Sequence, residues 1–235
     1  TSLQDWVLYT QNIVIKHYAD ALLVHGDEEI LPLISDRTRH ANSKSIIDDI
    51  EDKIIYTGYV CDEDQPLHSR KNNNIFVSTG LNKDESVMIF KRIADIANAF
   101  PEYNFIMPIA NKYKNIGGRK NKNIFLVEYV PELRNKLTDC SAYITYGGYN
   151  ATTEILKGRI PSIVIPRQSG QKLEQFIRAY AFEPYDYYKV MNFSEITRVD
   201  KVLKTVLDGY TPAKFNFNLK GASNSAQIIC DIHKR

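Results

Sequence analysis

Leu3, Trp6, Val7, Ile13 and Val14, with Thr10 and His17 continuing the stripe, recur at helical spacing and predict an amphipathic helix over residues 3–18. The pattern then tightens. Ala21–His25 is a short apolar run stopped by Gly26-Asp27, which predicts a strand. Residues 35–53 are polar and charged and read as a loop with a short helix. Ile54–Val60 is strand-like again and leads into a polar stretch, CDEDQPLHSRKNN, over 61–73.

From Asn74 onward, strand-length apolar runs alternate with helix-length periodic ones. Ile75–Thr79 predicts a buried strand, followed by Gly80 and a helix over Asp84–Phe100. Asn104–Ile109 and Ile124–Val127 predict two more strands, separated by a basic, glycine-containing loop at Asn111–Asn121. Pro131 suits the first turn of a helix reaching Asp139. Ser141–Tyr146 predicts a strand that stops at Gly147-Gly148, before a helix ending at Gly158. Ile160–Ile165 is a further strand, closed by Pro166-Arg167, and a polar loop then enters a helix carrying Glu174, Gln175 and Arg178. Tyr187–Met191 reads as a last strand, and Asp200–Leu207 and Ser223–Lys234 as closing helices. Strands alternating with helices predict an α/β fold: a doubly wound parallel sheet, Rossmann-like, with helices on both faces. Such sheets take ligands beyond the carboxyl ends of their strands.

Composition narrows the function classes. The 235 residues carry 30 Lys and Arg against 28 Asp and Glu, a net charge of +2 that does not argue for nucleic acid. Lys112, Lys114, Arg119, Lys120 and Lys122 surround Tyr113, a pattern that RNA-binding loops and plain solvated loops share, and the solvated loop is preferred. Cys61, Cys140 and Cys230 are odd in number and lack metal-ligand or disulfide-framework spacing, which fits a reducing compartment and no metal site. Apolar runs stay well short of the ~18 residues of a membrane span. No cofactor motif stands out.

Chemistry concentrates at strand ends. A strand, Gly147-Gly148 and a helix starting near Tyr149 offer close backbone approach, free N–H donors and a positive dipole end, all suited to a phosphate; a tight turn is the plainer alternative. Ser78-Thr79-Gly80 ends another strand and offers further phosphate contacts, or simply a helix cap. Glu154, about two turns into its helix, is a poor phosphate partner but a good acceptor for a ribose diol. Tyr129-Val130-Pro131 can lay backbone along a planar base, or only pack and start a helix. Glu174, Gln175 and Arg178 share a helix face, either as a ligand-facing group or as a salt-bridged surface. His25, at a strand end, is the best placed of five histidines for proton transfer, yet a structural role suits it better.

The stretches GGYNATTEIL, PSIVIPR and LEQFIRA resemble the C-terminal, nucleotide-sugar-binding domain of GT-B fold glycosyltransferases. They are similar to bacterial predicted glycosyltransferases and, distantly, to the MurG-type family. YADALLVHGDEEILPL and KIIYTGYV look like the bridge between the two GT-B domains. The resemblance implies a division into three. Residues 1–60 would be the tail of an N-terminal acceptor domain with the interdomain linker, 61–221 the donor-binding domain, and 222–235 a helix returning towards the N-terminal domain.

It also implies roles. The donor diphosphate would meet Gly147, Gly148 and Tyr149, with Ser78, Thr79 and Gly80 in place of a longer glycine-rich loop, and Arg167 and Arg178 assigned by charge. Glu154 would bind the ribose and Tyr129 and Val130 the base. Glu174-Gln175 stand where MurG-type enzymes have two glutamines on the donor sugar, and the glutamate is a departure. The expected function is metal-independent transfer from a UDP- or GDP-sugar to a glycan, lipid-linked or protein hydroxyl in a bacterial cytosol. Peripheral membrane association, or secretion as an effector, is compatible with it. The catalytic base would lie on the N-terminal domain, so the chain alone would not transfer. Two alternatives stand beside this: a nucleotide-sugar epimerase, whose Ser-Gly-Gly pattern the Tyr146-Gly147-Gly148 turn lacks, and a non-catalytic nucleotide-binding module of a larger protein.

Overall fold

Residues 13–30, 48–61, 66–78, 84–108, 121–167 and 173–234 are described by a computed structural model of the chain. Contacts divide it into two compact units, residues 64–215 and residues 1–63 with 216–235.

The larger unit is built on six parallel strands: β3 (Asn74–Ser78), β4 (Asn104–Pro108), β5 (Ile124–Val127), β6 (Ala142–Thr145), β7 (Ser162–Val164) and β8 (Lys189–Val190). Their spatial order is β5-β4-β3-β6-β7-β8. Counted from β3, that is the order 3-2-1-4-5-6 of a doubly wound nucleotide-binding sheet, in which the winding reverses between the first and fourth strands. Here the reversal falls between β3 and β6, where Ser78 is the register partner of Thr145.

One face of the sheet carries Ile75, Val77, Phe105, Met107, Ile144, Ile163 and Ile165, all buried. They pack with Ile89, Phe90 and Ile93 of α1 (Asp84–Ile96) and Val199, Leu203 and Val206 of α5 (Val199–Leu207). Alternate strand residues turn the other way. Phe76, Tyr143 and Val164 thus meet the opposite face, which holds α2 (Leu133–Leu137) and α3 (Tyr149–Gly158). Burying this many aliphatic and aromatic side chains, each worth about 1.5–3 kcal/mol, is the main source of stability. The helix α4 (Leu173–Phe182) follows β7.

The smaller unit contains a two-stranded parallel sheet, β1 (Leu22–Val24) with β2 (Ile54–Tyr56), and the helix α6 (Gly221–His233). Residues 13–18 are helical, and Lys53 Nζ donates to the carbonyls of Ile15, Lys16 and Ala19 at 2.8–3.0 Å, closing that helix at its negative end. A Cβ on Gly221 would lie 2.4 Å from the Gly58 carbonyl, so only glycine lets α6 start against this strand end.

Some elements differ from the sequence reading. The strand expected over Ile54–Val60 stops at Tyr56 because Gly58 takes φ +86°, and Val60 pairs with Lys220 in an isolated antiparallel bridge. Pro131 does not open a helix: Glu132 is left-handed at φ 52°, and α2 begins at Leu133 and ends at Leu137. The helix expected to reach Phe100 tightens into a 3-10 turn at Ala97–Ala99, and the last strand contracts to Lys189–Val190. The expected helix over 3–12 and the basic loop over 111–120 lie outside the described residues. Among the described residues no helix is long and apolar enough to cross a membrane.

Candidate functional site

The carboxyl ends of β3 and β6 present Ser78 and Thr145 side by side. Their hydroxyls hydrogen-bond the buried Tyr143 phenol, whose pKa is raised, chiefly by desolvation. Thr145 Oγ1 also accepts from the Gly147 N–H at 3.4 Å, so the strand end is tied to the turn that follows.

That turn is the centre of the site. Gly147 has φ +68°, and a Cβ there would sit 2.6 Å from Val164 Cγ1, so both backbone conformation and packing against β7 demand glycine. Gly148 is different. It caps α3 at φ −58° and ψ 159°, and among the described residues nothing lies within 4 Å of where its Cβ would be. As a glycine it has no side chain to cap the helix, and the first bond into α3 runs from Thr152 N to Gly148 O at 2.9 Å. First-turn N–H groups of a helix have no acceptor within the helix, and the dipole end is positive. Thr152 Oγ1 donates back to the Gly147 carbonyl at 3.2 Å, holding the turn from inside.

Two buried guanidinium groups flank this turn. Arg178, on α4, donates from Nη1 to the Gly147 carbonyl at 3.4 Å and lies over the Tyr149 ring at 5.5 Å. Arg167, just past β7, stacks over the Tyr146 ring at 4.4 Å. Tyr146 in turn shares a 3.1 Å hydrogen bond with Ser86 in the first turn of α1. Burial pushes its phenol pKa up, against the Ser86 bond and the Arg167 charge. One turn before Arg178, Gln175 is also buried, and its Oε1 has no hydrogen-bond partner among the described residues. Gln175 and Arg178 are therefore not a solvated surface pair. Glu174 lies on the same helix with its side chain outside the described residues, and Thr79 and Gly80 lie outside them altogether.

Glu154 faces α2. Arg134 Nε stands 3.5 Å from Glu154 Oε1, and the Glu154 side chain is 18% exposed. Burial raises the pKa of its carboxyl, with Arg134 opposing. After β5, Val130 is buried and Tyr129 is 75% exposed. Tyr129 lines a groove of about 360 Å³ with Phe125, Val127, Phe76 and Ile106 on the open part of the sheet face. With strands about 4.8 Å apart, the ends of β5 and β6, three strands apart in the order, are separated by roughly 14 Å. His25 is engaged structurally, Nδ1 lying 3.0 Å from Thr57 Oγ1.

The geometry thus gathers Ser78, Gly147, Gly148, Tyr149, Arg167 and Arg178 about one turn, with Gln175 on the flanking helix. Ser86, Arg134, Tyr143 and Tyr146 belong to this neighbourhood, and sequence reasoning missed them. Tyr146 adjoins the glycine pair and could have been noticed for that; Arg134, Ser86 and Tyr143 carry no local signal.

The sequence model of the glycosyltransferase family 28 C-terminal domain matches residues 58–235. No curated protein matches the sequence. Solved structures of similar fold include MurG of Acinetobacter baumannii, at TM-score 0.56 and 10% identity, covering 97% of this chain and 78% of that one. A UDP-glucose:anthocyanidin 3-O-glucosyltransferase in complex with UDP aligns at TM-score 0.56 and 14% identity, over 96% of this chain and 56% of that one. The glycosyltransferase of kitacinnamycin aligns at TM-score 0.56 and 15% identity, over 81% and 47%. At these identities the likeness is one of fold, and the chain spans about half the length of the last two.

Proposed function

Because the chain belongs to the glycosyltransferase family 28 C-terminal domain family, we propose that residues 64–215 bind the nucleoside diphosphate of a sugar donor at the carboxyl edge of their sheet, for transfer of the sugar to an acceptor hydroxyl. The observation that carries this reading is the Gly147-Gly148 turn: open space at Gly148, a helix start without a side-chain cap, and two buried arginines beside it at the reversal of strand order.

In this reading the diphosphate occupies the space in front of Gly148. It accepts hydrogen bonds from the first turn of α3 and is neutralised by Arg178 and Arg167. Such donors matter most when the sugar–phosphate bond breaks and negative charge grows on the leaving diphosphate, so they act on the transition state more than on the bound donor. The nucleoside then runs across β3 and β4 towards β5, with Glu154 accepting from the ribose and the base lying by Tyr129 and Val130. Gln175, with an unfilled acceptor, faces the sugar hydroxyls, and Glu174 shares that task.

The finer points belong to the same proposal: a UDP- or GDP-sugar, no metal requirement, a cytosolic bacterial setting, and an acceptor of unknown class. So does the division in which residues 1–60 are the tail of an acceptor domain with the interdomain linker, 61–221 the donor-binding domain and 222–235 a helix returning towards the acceptor domain. The grouping of residues 1–63 with 216–235 supports that reading.

Calorimetric titration with UDP, GDP and dTDP, each with and without EDTA, tests the proposal. Binding in the micromolar to millimolar range, about −4 to −8 kcal/mol, that survives EDTA supports it. Absence of heat with all three at millimolar concentration sinks the donor-site reading, and a strict need for a divalent ion sinks the assignment of charge neutralisation to the arginines. UDP is the first probe, since the anthocyanidin 3-O-glucosyltransferase of similar fold was solved with it.

A further inference from the structure

The Arg134–Glu154 pair is unusual for its place. Glu154 sits on α3, in the helix that starts at the glycine turn, and Arg134 on α2, four residues after Val130. The pair therefore joins the helix that carries the ribose ligand of the reading above to the helix that follows Tyr129 and Val130, and the inference rests on that reading. The left-handed Glu132 directs α2 so that Arg134, its second residue, meets α3. Arg134 is 45% exposed, and a pair this open to water adds little to the stability of a fold. Arg134 reaches Glu154 Oε1 through its Nε.

We propose that Arg134 is a positioning residue of the nucleotide site: by its charge and its contact with Oε1 it keeps the half-buried Glu154 carboxylate ionised and oriented to accept hydrogen bonds from the 2′- and 3′-hydroxyls of a ribose. The physical need is plain. A carboxylate withdrawn from water drifts towards its neutral form, and a neutral carboxyl loses the charge-assisted bonds that make it a strong partner for a diol. Of the groups facing Glu154, Arg134 on α2 supplies the opposing charge. Tyr143 on β6 is buried with its pKa raised, so its phenol is neutral near neutral pH. On α3 itself Lys157 follows one turn later. Arg134 thus sets the protonation of Glu154 without itself touching the reacting atoms.

The test is titration of the wild type, Arg134→Met, Arg134→Lys, Glu154→Gln and the Arg134→Met/Glu154→Gln double variant with UDP and 2′-deoxy-UDP, and with GDP and 2′-deoxy-GDP in parallel, between pH 5 and 8. Circular dichroism confirms that each variant is folded, which the exposure of Arg134 favours. The wild type should prefer the ribonucleotide roughly tenfold at pH 7.5. Arg134→Met should shrink that preference and move the pH at which it is lost upward, because removing the cation lets Glu154 hold its proton to higher pH. Arg134→Lys should restore part of it, and the double variant should be no worse than Glu154→Gln. If Arg134→Met keeps the wild-type preference and pH profile while Glu154→Gln abolishes the preference, the positioning role is overturned and the ribose role of Glu154 stands. If the wild type binds both sugars equally, Glu154 is not a ribose ligand and both fall.

Discussion

Arg178 Nη1 lies 3.4 Å from the carbonyl of Gly147, and this contact ties a buried helix cation to a residue whose backbone runs at positive φ. The two are 31 positions apart and meet because α4 returns to the carboxyl edge where β6 ends. A guanidinium held this way is pre-oriented towards anything that occupies the front of the turn.

Arg178→Met should therefore weaken binding of a nucleoside diphosphate by roughly ten- to a hundredfold, the equivalent of a charge-assisted contact of about 1.5–3 kcal/mol. Arg178→Lys should lose less, since charge remains without the planar fork. Calorimetry with UDP measures the affinity, and thermal unfolding the stability. Unchanged affinity with a lower melting temperature would make Arg178 a structural clamp on Gly147 and nothing more.

The two glycines of the turn should separate folding from binding. Gly147→Ala must place a Cβ 2.6 Å from Val164 Cγ1 at φ +68°, and should cost roughly 2–6 kcal/mol in denaturant unfolding, since strain and overpacking each contribute about 1–3. Gly148→Ala meets nothing among the described residues and keeps an ordinary backbone, so its stability should stay within about 0.5 kcal/mol of wild type. Its methyl would stand in the space assigned to the diphosphate, and nucleotide affinity should fall. A Gly148→Ala protein that binds UDP as well as wild type would reduce the turn to a chain reversal.

Gln175 offers a test of the sugar end. Its Oε1 is buried without a partner among the described residues, a state that costs stability until a donor arrives. Gln175→Leu should leave stability unchanged or raise it by about 1 kcal/mol, while weakening a UDP-sugar relative to UDP itself. Equal effects on UDP and UDP-sugar would move Gln175 out of the sugar site.

Glu154 should also mark the pH dependence of stability. Its folded-state pKa is raised, mainly by burial, so between the unfolded pKa and the higher folded one the native state binds more protons than the unfolded state. Stability contributed by this group is thus greatest at low pH and declines as pH rises through that window. Glu154→Gln should accordingly be at least as stable as wild type at pH 7, with the advantage vanishing on acidification below the usual carboxylate range. Melting temperatures of both proteins from pH 3.5 to 8 check this, and a Glu154→Gln variant that is less stable at pH 7 than at pH 4, relative to wild type, contradicts it.

How much of this was legible in the sequence follows from the range of the forces involved. Apolar runs such as Ile75–Val77 and Ile163–Ile165 and the glycines at 147 and 148 are local signals, because side-chain periodicity and backbone freedom act within a few residues. They determined the alternation of strands and helices, the parallel sheet, and the glycine turn as a candidate anion site. The sequence also marked Glu154, Gln175 and Arg178, although it left a salt-bridged surface open as the alternative for Gln175 and Arg178.

What it did not determine were the partners. Glu154 meets Arg134 across 20 positions, Tyr146 meets Ser86 across 60, and the Ser78 and Thr145 hydroxyls converge on Tyr143 from two strands. The start of α2 at Leu133, two residues past Pro131, depends on a left-handed Glu132 that local preference for a proline in the first turn did not foresee. These choices were made only in the tertiary structure, where parallel crossovers bring sequence-distant strand ends to one edge and the burial of the sheet faces decides which polar groups must find one another.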